Sequence, residues 1–156
     1  MYTTTLASDI LNIKGHGYLG IPPEATAYAA LEVMADHDVG ALLVVETGGK
    51  LAGVFSERDY ARKVILMGKS SRSTTVGELM SSPPICASPD MNLQDCMMLM
   101  TNNHVRHLPV MDDGRIIGVV SIGDVVGAIM RSQEATINQL ENYITGDDYP
   151  ARVAVG

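Results

Sequence analysis

A chain of 156 residues, 46% hydrophobic, can bury one ordinary core or two docked halves, which leaves no room for a separate catalytic domain. Its formal net charge of -7 argues against nonspecific binding to nucleic acid or an anionic membrane, since both need clustered cations. No apolar run reaches the roughly 18 residues of a membrane span, Met1-Tyr2-Thr3-Thr4-Thr5 lacks the charged start of a leader, and Cys86 and Cys96 read as reduced thiols of a cytosolic protein rather than as a disulfide or a metal knuckle.

The first predicted element is a capped helical turn at Ser8-Asp9 before Ile10-Leu11, and an extended lead-in follows near Tyr18 to Ile21. After Pro22-Pro23, the residues Ala27, Leu31 and Met34 recur at helical spacing and predict an amphipathic helix laid on a sheet. Gly40 to Val45 and Leu51 to Phe55 are apolar and β-rich, joined as a hairpin through Gly48-Gly49-Lys50. A second helix is expected from about Glu57 to Leu66, and Met67 to Thr75 is small and polar, as a linker is.

The same order then recurs. Glu78-Leu79-Met80 stands where the first lead-in stood, Ile85 to Ala87 is extended, and Leu93, Met97 and Met100 mark a helix. His107 to Met111 and Ile116 to Val120 form a hairpin across Asp112-Asp113-Gly114-Arg115, and a helix closes the unit from about Ile122 to Arg131. The offset is 66 residues from Val39 to Val105 but 65 from Gly53 to Gly118, so the extra residue lies in a glycine turn and leaves the strands undisturbed. A fixed period defines the folding unit and predicts pseudo-symmetric sites. The expected division is a repeat over 8–66, a linker over 67–75, a repeat over 76–131, a helix over 132–146 and a loose tail over 147–156. The stripe of Ile137, Leu140, Tyr143 and Ile144 serves either a dimer contact or its own copy.

Several motifs have ordinary explanations. Gly15-His16-Gly17-Tyr18-Leu19-Gly20 spells a dinucleotide fingerprint, but Pro22-Pro23 block the helix that must follow it. Gly118 to Gly123 is not a nucleophile elbow, because its serine comes one position late, and His104 with His107 lacks further ligands for zinc. Five of the eleven basic residues cluster at Arg58, Arg62, Lys63, Lys69 and Arg72, which fits a solvated helix face running into a linker.

The doubled Ser-x-x-Asp, Ser56 with Asp59 and Ser121 with Asp124, stands where each hairpin turns into a helix. A capping box explains either copy alone. The same residues also build a nucleotide site: helix N–H groups and the positive dipole end favour phosphate, and a carboxylate can accept hydrogen bonds from both ribose hydroxyls.

With these residues the chain resembles a tandem pair of cystathionine-β-synthase-type (CBS) domains over roughly Ser8 to Arg131. The resemblance is carried by Val39 to Val45, by His107-Leu108-Pro109-Val110, and by the runs Gly53 to Asp59 and Gly118 to Asp124. It implies an α/β (α+β) fold of two tandem β-α-β-β-α repeats packed pseudo-symmetrically into one module. It further implies adenosine nucleotides bound between the repeats, with Asp59 and Asp124 on ribose and Ser56 and Ser121 near ribose or phosphate. The run Ser56 to Lys63 is similar to that of stand-alone bacterial regulatory modules, which implies AMP, ATP or NAD as ligand and a cytoplasmic homodimer acting on an unknown regulated protein.

The copies differ where charge matters: Arg58 corresponds to Gly123, and Arg106-His107, also expected among the nucleotide-binding residues, correspond to Gly40-Ala41. The cleft holding Asp59 is therefore expected to prefer a more highly phosphorylated or dinucleotide ligand, with Arg58 and Lys14 on its phosphates. No catalytic constellation and no metal requirement emerges, so a sensor without chemistry of its own is the expected function. The alternative is a dimerisation scaffold with vestigial clefts.

Overall fold

The computed structural model describes residues 5–145, with side chains to Asn142; the loose tail expected over 147–156 lies outside the described residues, as do the side chains of Tyr143 and Ile144. In chain order the elements are α1 (Ala7–Lys14), β1 (Gly20–Ile21), α2 (Ala27–His37), β2 (Ala41–Val45), β3 (Leu51–Ser56), α3 (Glu57–Asp59, continued by a π-helix over Tyr60–Ile65), α4 (Val76–Leu79), α5 (Leu93–Asn103), β4 (His107–Asp112), β5 (Arg115–Ser121) and α6 (Ile122–Thr145).

The apolar β-rich runs form two antiparallel hairpins with equivalent registers. Leu43 lies opposite Val54 and Pro109 opposite Val119, and each ladder shifts at the same place, between Val44 and Val45 and between Val110 and Met111. The extra residue of the first copy is thus absorbed in its turn. The second turn is the tighter one, with Asp113 at φ 50 and Gly114 at φ 75, as a two-residue hairpin loop needs to match the strand twist. β1 adds to β2 in parallel, Gly20 opposite Leu43, whereas the second half keeps only a parallel bridge between Ala87 and Val110.

Each half has its own core, and each core is completed by the other half's lead-in helix. Ala7, Ile10 and Leu11 of α1 are buried with Cys96, Met100, Leu108, Val110, Val120 and Val125 of the second half. Val76 and Leu79 of α4 are buried with Ala27, Ala30, Met34, Leu42, Val44 and Phe55 of the first. Backbone bonds repeat the exchange: Ala7 N–H donates to the Met91 carbonyl at 2.8 Å and Ser8 N–H to that of Pro89 at 2.9 Å, while Val76 N–H donates to Ala25 at 2.8 Å and Gly77 N–H to Pro23 at 2.9 Å. Ser8 is consequently not the cap of α1. The helix starts earlier, Leu6 N–H is held by the Asp9 carboxylate at 2.8 Å, and the other half supplies acceptors for its first turn.

The exchange also explains one glycine per hairpin. A Cβ on Gly53 would lie 2.7 Å from both the Ser81 carbonyl oxygen and Met80 Sδ, and one on Gly118 would lie 2.6 Å from Leu11 Cδ2. Both strands must be bare where the foreign lead-in crosses them.

Two helices differ from expectation. The helix after β3 widens to π geometry over Tyr60–Ile65, a stretch in which only Val64 is buried and Lys63 Nζ reaches the Leu79 carbonyl at 2.9 Å. After β5, α6 continues without a break past Arg131, because residues 131–135 contain no Gly or Pro to stop it.

Candidate functional site

The segments that carry each lead-in back to its own sheet cross the boundary between the halves, and two cavities open beside them. The first, about 250 Å³, is lined by Ser56, Arg58, Asp59 and Arg62 of the first half, by Ser81, Pro83 and Pro84 of the crossing segment, and by His104, Arg106 and His107 at the entrance to β4. The second, about 520 Å³, is lined by Lys14 to Leu19 of the other crossing segment, by Asp38 to Ala41 before and within β2, and by Val119 and Ser121 of β5. Gly40 and His107 line both. The two cavities are related by the repeat: each combines one strand-to-helix turn, one crossing segment and the opposite hairpin's first strand.

In the first cavity the Asp59 carboxylate is held by its own cap. Its Oδ2 accepts from Ser56 N–H and from Ser56 Oγ, both at 3.0 Å, and Asp59 N–H donates to Ser56 Oγ at 3.2 Å. Its Oδ1 accepts from the Ser81 hydroxyl at 3.2 Å and lies 3.8 Å from Lys63 Nζ. The second turn repeats the cap, with Ser121 N–H on Asp124 Oδ2 at 2.8 Å and Asp124 N–H on Ser121 Oγ at 3.1 Å. The capping box repeats in both halves, Ser56 and Asp59 both lining the first cavity and Ser121 lining the second with Asp124 bonded behind it.

Lys14 is where the sequence reading needs correction. It does not join Arg58 in the Asp59 cleft. Its ammonium donates to Asp124 Oδ2 at 2.8 Å and to the Val119 carbonyl at 3.0 Å, because α1 docks on the second half rather than on the half whose sequence it precedes. In its place Arg106, His107, Arg62 and His104 come to the Asp59 side. The helix starts also offer an anion less than expected: Glu57 N–H already donates to the Gly40 carbonyl at 3.0 Å and Ile122 N–H to that of Arg106 at 2.8 Å. Positive charge in the first cavity therefore resides in guanidinium groups.

The five-residue basic cluster is divided by the fold. Arg58 and Arg62 line the first cavity, Lys63 binds the Leu79 carbonyl, and Arg72 lies over the Tyr28 ring, 4.0 Å from its centroid. Burial raises the charged-form cost at Asp124, but the hydrogen bonds from Lys14 and from Ser121 outweigh it and hold its pKa below the ordinary value. His107 is pushed down by burial first, then by Lys14 and Arg106, with Asp124 opposing. Burial raises both thiols, Asp95 adding to the effect at Cys96.

Ser81, Arg62 and the 15–19 segment were not among the predicted site residues. Ser81 has no motif of its own, and only the exchange of lead-ins brings it to Asp59. The Gly15 to Gly20 motif contributes a wall of the second cavity as a crossing loop, with no helix opening from it. His104 and Asp38 occupy equivalent left-handed positions after α5 and α2, at φ 55 and φ 52, which sets the mouths of the two cavities alike. Among the described residues no group of three or more His, Cys, Asp or Glu is placed to hold a metal ion, and no helix is long and apolar enough to cross a membrane.

Comparison with known proteins agrees with the duplicated geometry. The family model for the CBS domain matches residues 15–65 and 76–131. The chain is 40% identical over 153 residues to the CBS domain-containing protein CBSX3, mitochondrial, of Arabidopsis thaliana, covering 93% of this chain and 74% of that one. A solved structure of a protein with CBS domains from Burkholderia ambifaria superposes with a TM-score of 0.79 at 40% identity, over 83% of this chain and 96% of that one. The CBS domain pair of protein MJ0100, solved in complex with 5'-methylthioadenosine and S-adenosyl-L-methionine, shares the fold at a TM-score of 0.71 and 24% identity, over 81% and 97% of the two chains. Two matched repeats, their mixed helix and strand order and their pseudo-symmetric cavities make this chain a member of the CBS domain family, as a tandem pair.

Proposed function

We propose that the protein is a regulatory module that binds adenosine nucleotides, AMP, ATP or NAD, in the two clefts and performs no chemistry of its own. The observation that carries this reading is the duplicated carboxylate: Asp59 and Asp124 are each fixed by a serine cap beside a cavity between the halves. A carboxylate held this way can accept from both hydroxyls of a ribose. That a family neighbour was solved with two adenosine-containing ligands supports the ligand class.

The Asp59 cleft is the one suited to several phosphates or a dinucleotide, since Arg58, Arg62 and Arg106 surround it and the second cleft has Gly40, Ala41 and Gly123 at the positions equivalent to Arg106, His107 and Arg58. Ser56 and Ser121 stay in their caps, which argues against use as nucleophiles. A homodimer acting on a regulated protein in a reducing, cytoplasmic setting fits the buried thiol of Cys96, although the Arabidopsis relative is named mitochondrial.

The test is thermal unfolding of nucleotide-free protein with AMP, ADP, ATP, NAD, NADH or S-adenosylmethionine. A ligand at about 100 times its Kd stabilises by about 2.7 kcal/mol, which is several degrees for a chain of this size. A selective shift lost in Asp59→Ala or Asp124→Ala is expected. No shift with any of them would leave the clefts vestigial and favour the scaffold.

A further inference from the structure

The two halves hold their motif carboxylates with donors of different charge. In the first cleft Ser81 does this: its N–H donates to the Val54 carbonyl at 2.9 Å and its hydroxyl to Asp59 Oδ1 at 3.2 Å. The repeat offset makes Val119 the counterpart of Val54 and Asp124 that of Asp59. Those two acceptors are both taken by one group, the Lys14 ammonium, at 3.0 and 2.8 Å. Lys63 is no equivalent, since it lies 3.8 Å from Asp59 and its ammonium donates to the Leu79 carbonyl.

The consequence differs between a neutral and an anionic ligand. A sugar diol that reaches Asp59 replaces a serine hydroxyl, like for like. A diol that takes both oxygens of Asp124 displaces the ammonium from Oδ2 and leaves it without its counter-charge. A phosphate on the same ligand gives that ammonium a new partner. Room for the exchange exists: the side chains of Lys14 and Asp124 are 39% and 23% exposed, and Lys14 is followed by Gly15 and Gly17 at φ 110 and 100, with nothing within 4 Å of where a Cβ would stand on either.

We propose that Lys14 is a phosphate-selecting latch of the second cleft, moving from Asp124 to the ligand's phosphate as the ribose takes the carboxylate. The proposal rests on the nucleotide reading above and adds to it a specificity that belongs to one cleft alone. Nucleosides without phosphate are disfavoured in the Asp124 cleft relative to phosphorylated ones.

The experiment is titration calorimetry of adenosine and AMP in an Asp59→Ala background, so that binding reports the second cleft, with Lys14→Met and Lys14→Arg added in turn. AMP is expected to bind about tenfold more tightly than adenosine, the size of one charge-assisted hydrogen bond. Lys14→Met should bring the two within about threefold of each other, with adenosine binding tighter than before, and Lys14→Arg should keep the preference. Thermal melts establish that the variants are folded. An AMP-to-adenosine ratio unchanged by Lys14→Met overturns the latch while leaving nucleotide binding intact; no binding of either ligand to protein with Asp59 and Lys14 in place overturns the nucleotide reading and the latch with it.

Discussion

His107 belongs to β4, yet it forms part of the wall of both cavities, and Lys14 of α1, Asp124 of α6 and its neighbour Arg106 act on it. Its folded pKa lies below the ordinary histidine value, so between the two values the unfolded chain binds the extra proton and stability rises with pH. The contribution is complete above about pH 6.5 and is lost as pH falls through the folded value. Asp124 acts in a lower window: its depressed pKa stabilises above about pH 4 and the gain disappears as pH falls through the folded pKa. Urea denaturation between pH 5 and 7 should therefore show stability declining on acidification, at no more than about 1.4 kcal/mol per pH unit from this one group, and His107→Gln should flatten that limb. An unchanged slope in the variant would remove His107 as its origin. The sequence marked His107 through its contrast with Ala41 in the other copy. Its position in a shared wall was not readable, because that depends on how one half meets the other.

At the scale of elements, local pattern identified nearly every helix and strand and missed one kind of relation. Period and composition say which face of α1 or α4 is apolar; they do not say which of two similar cores receives it. The exchange followed from long-range bonds such as Leu6 with Asn92 and Thr26 with Thr75, and with it went the assignment of Lys14. The continuity of α6 is legible in principle, since no Gly or Pro separates the helix expected to close at Arg131 from the one expected over 132–146. The glycines of β3 and β5 give a test at this scale. Gly53→Ala meets a backbone carbonyl, which must move, whereas Gly118→Ala meets the end of a leucine, which can rotate. Overpacking costs about 1–3 kcal/mol, so Gly53→Ala should fall toward the upper end and Gly118→Ala toward the lower in urea denaturation. Gly53→Ala should also weaken the Asp59 cleft more than the Asp124 cleft, because the carbonyl it displaces belongs to Ser81.

For the whole molecule, the notable surface is the outer side of α6. Ile137 and Leu140 are 54% and 55% exposed, with Val126 and Met130 also uncovered, so these described members of the stripe are not buried on their own copy. The proposed homodimer would cover it. Ile137→Asp with Leu140→Asp should shift sedimentation from dimer to monomer while the melting temperature of each half's core changes little, and a monomeric parent protein would exclude the arrangement. The lead-ins have the geometry of two subunits that have traded arms, joined by residues 67–75 into a single chain. Two identical subunits trading arms are bound by symmetry to carry identical clefts, so a serine at one is a serine at the other. Fusion lifts that rule. Only because both copies lie on one chain can a hydroxyl guard Asp59 while an ammonium guards Asp124, giving one small protein two unlike receptors built to a single plan.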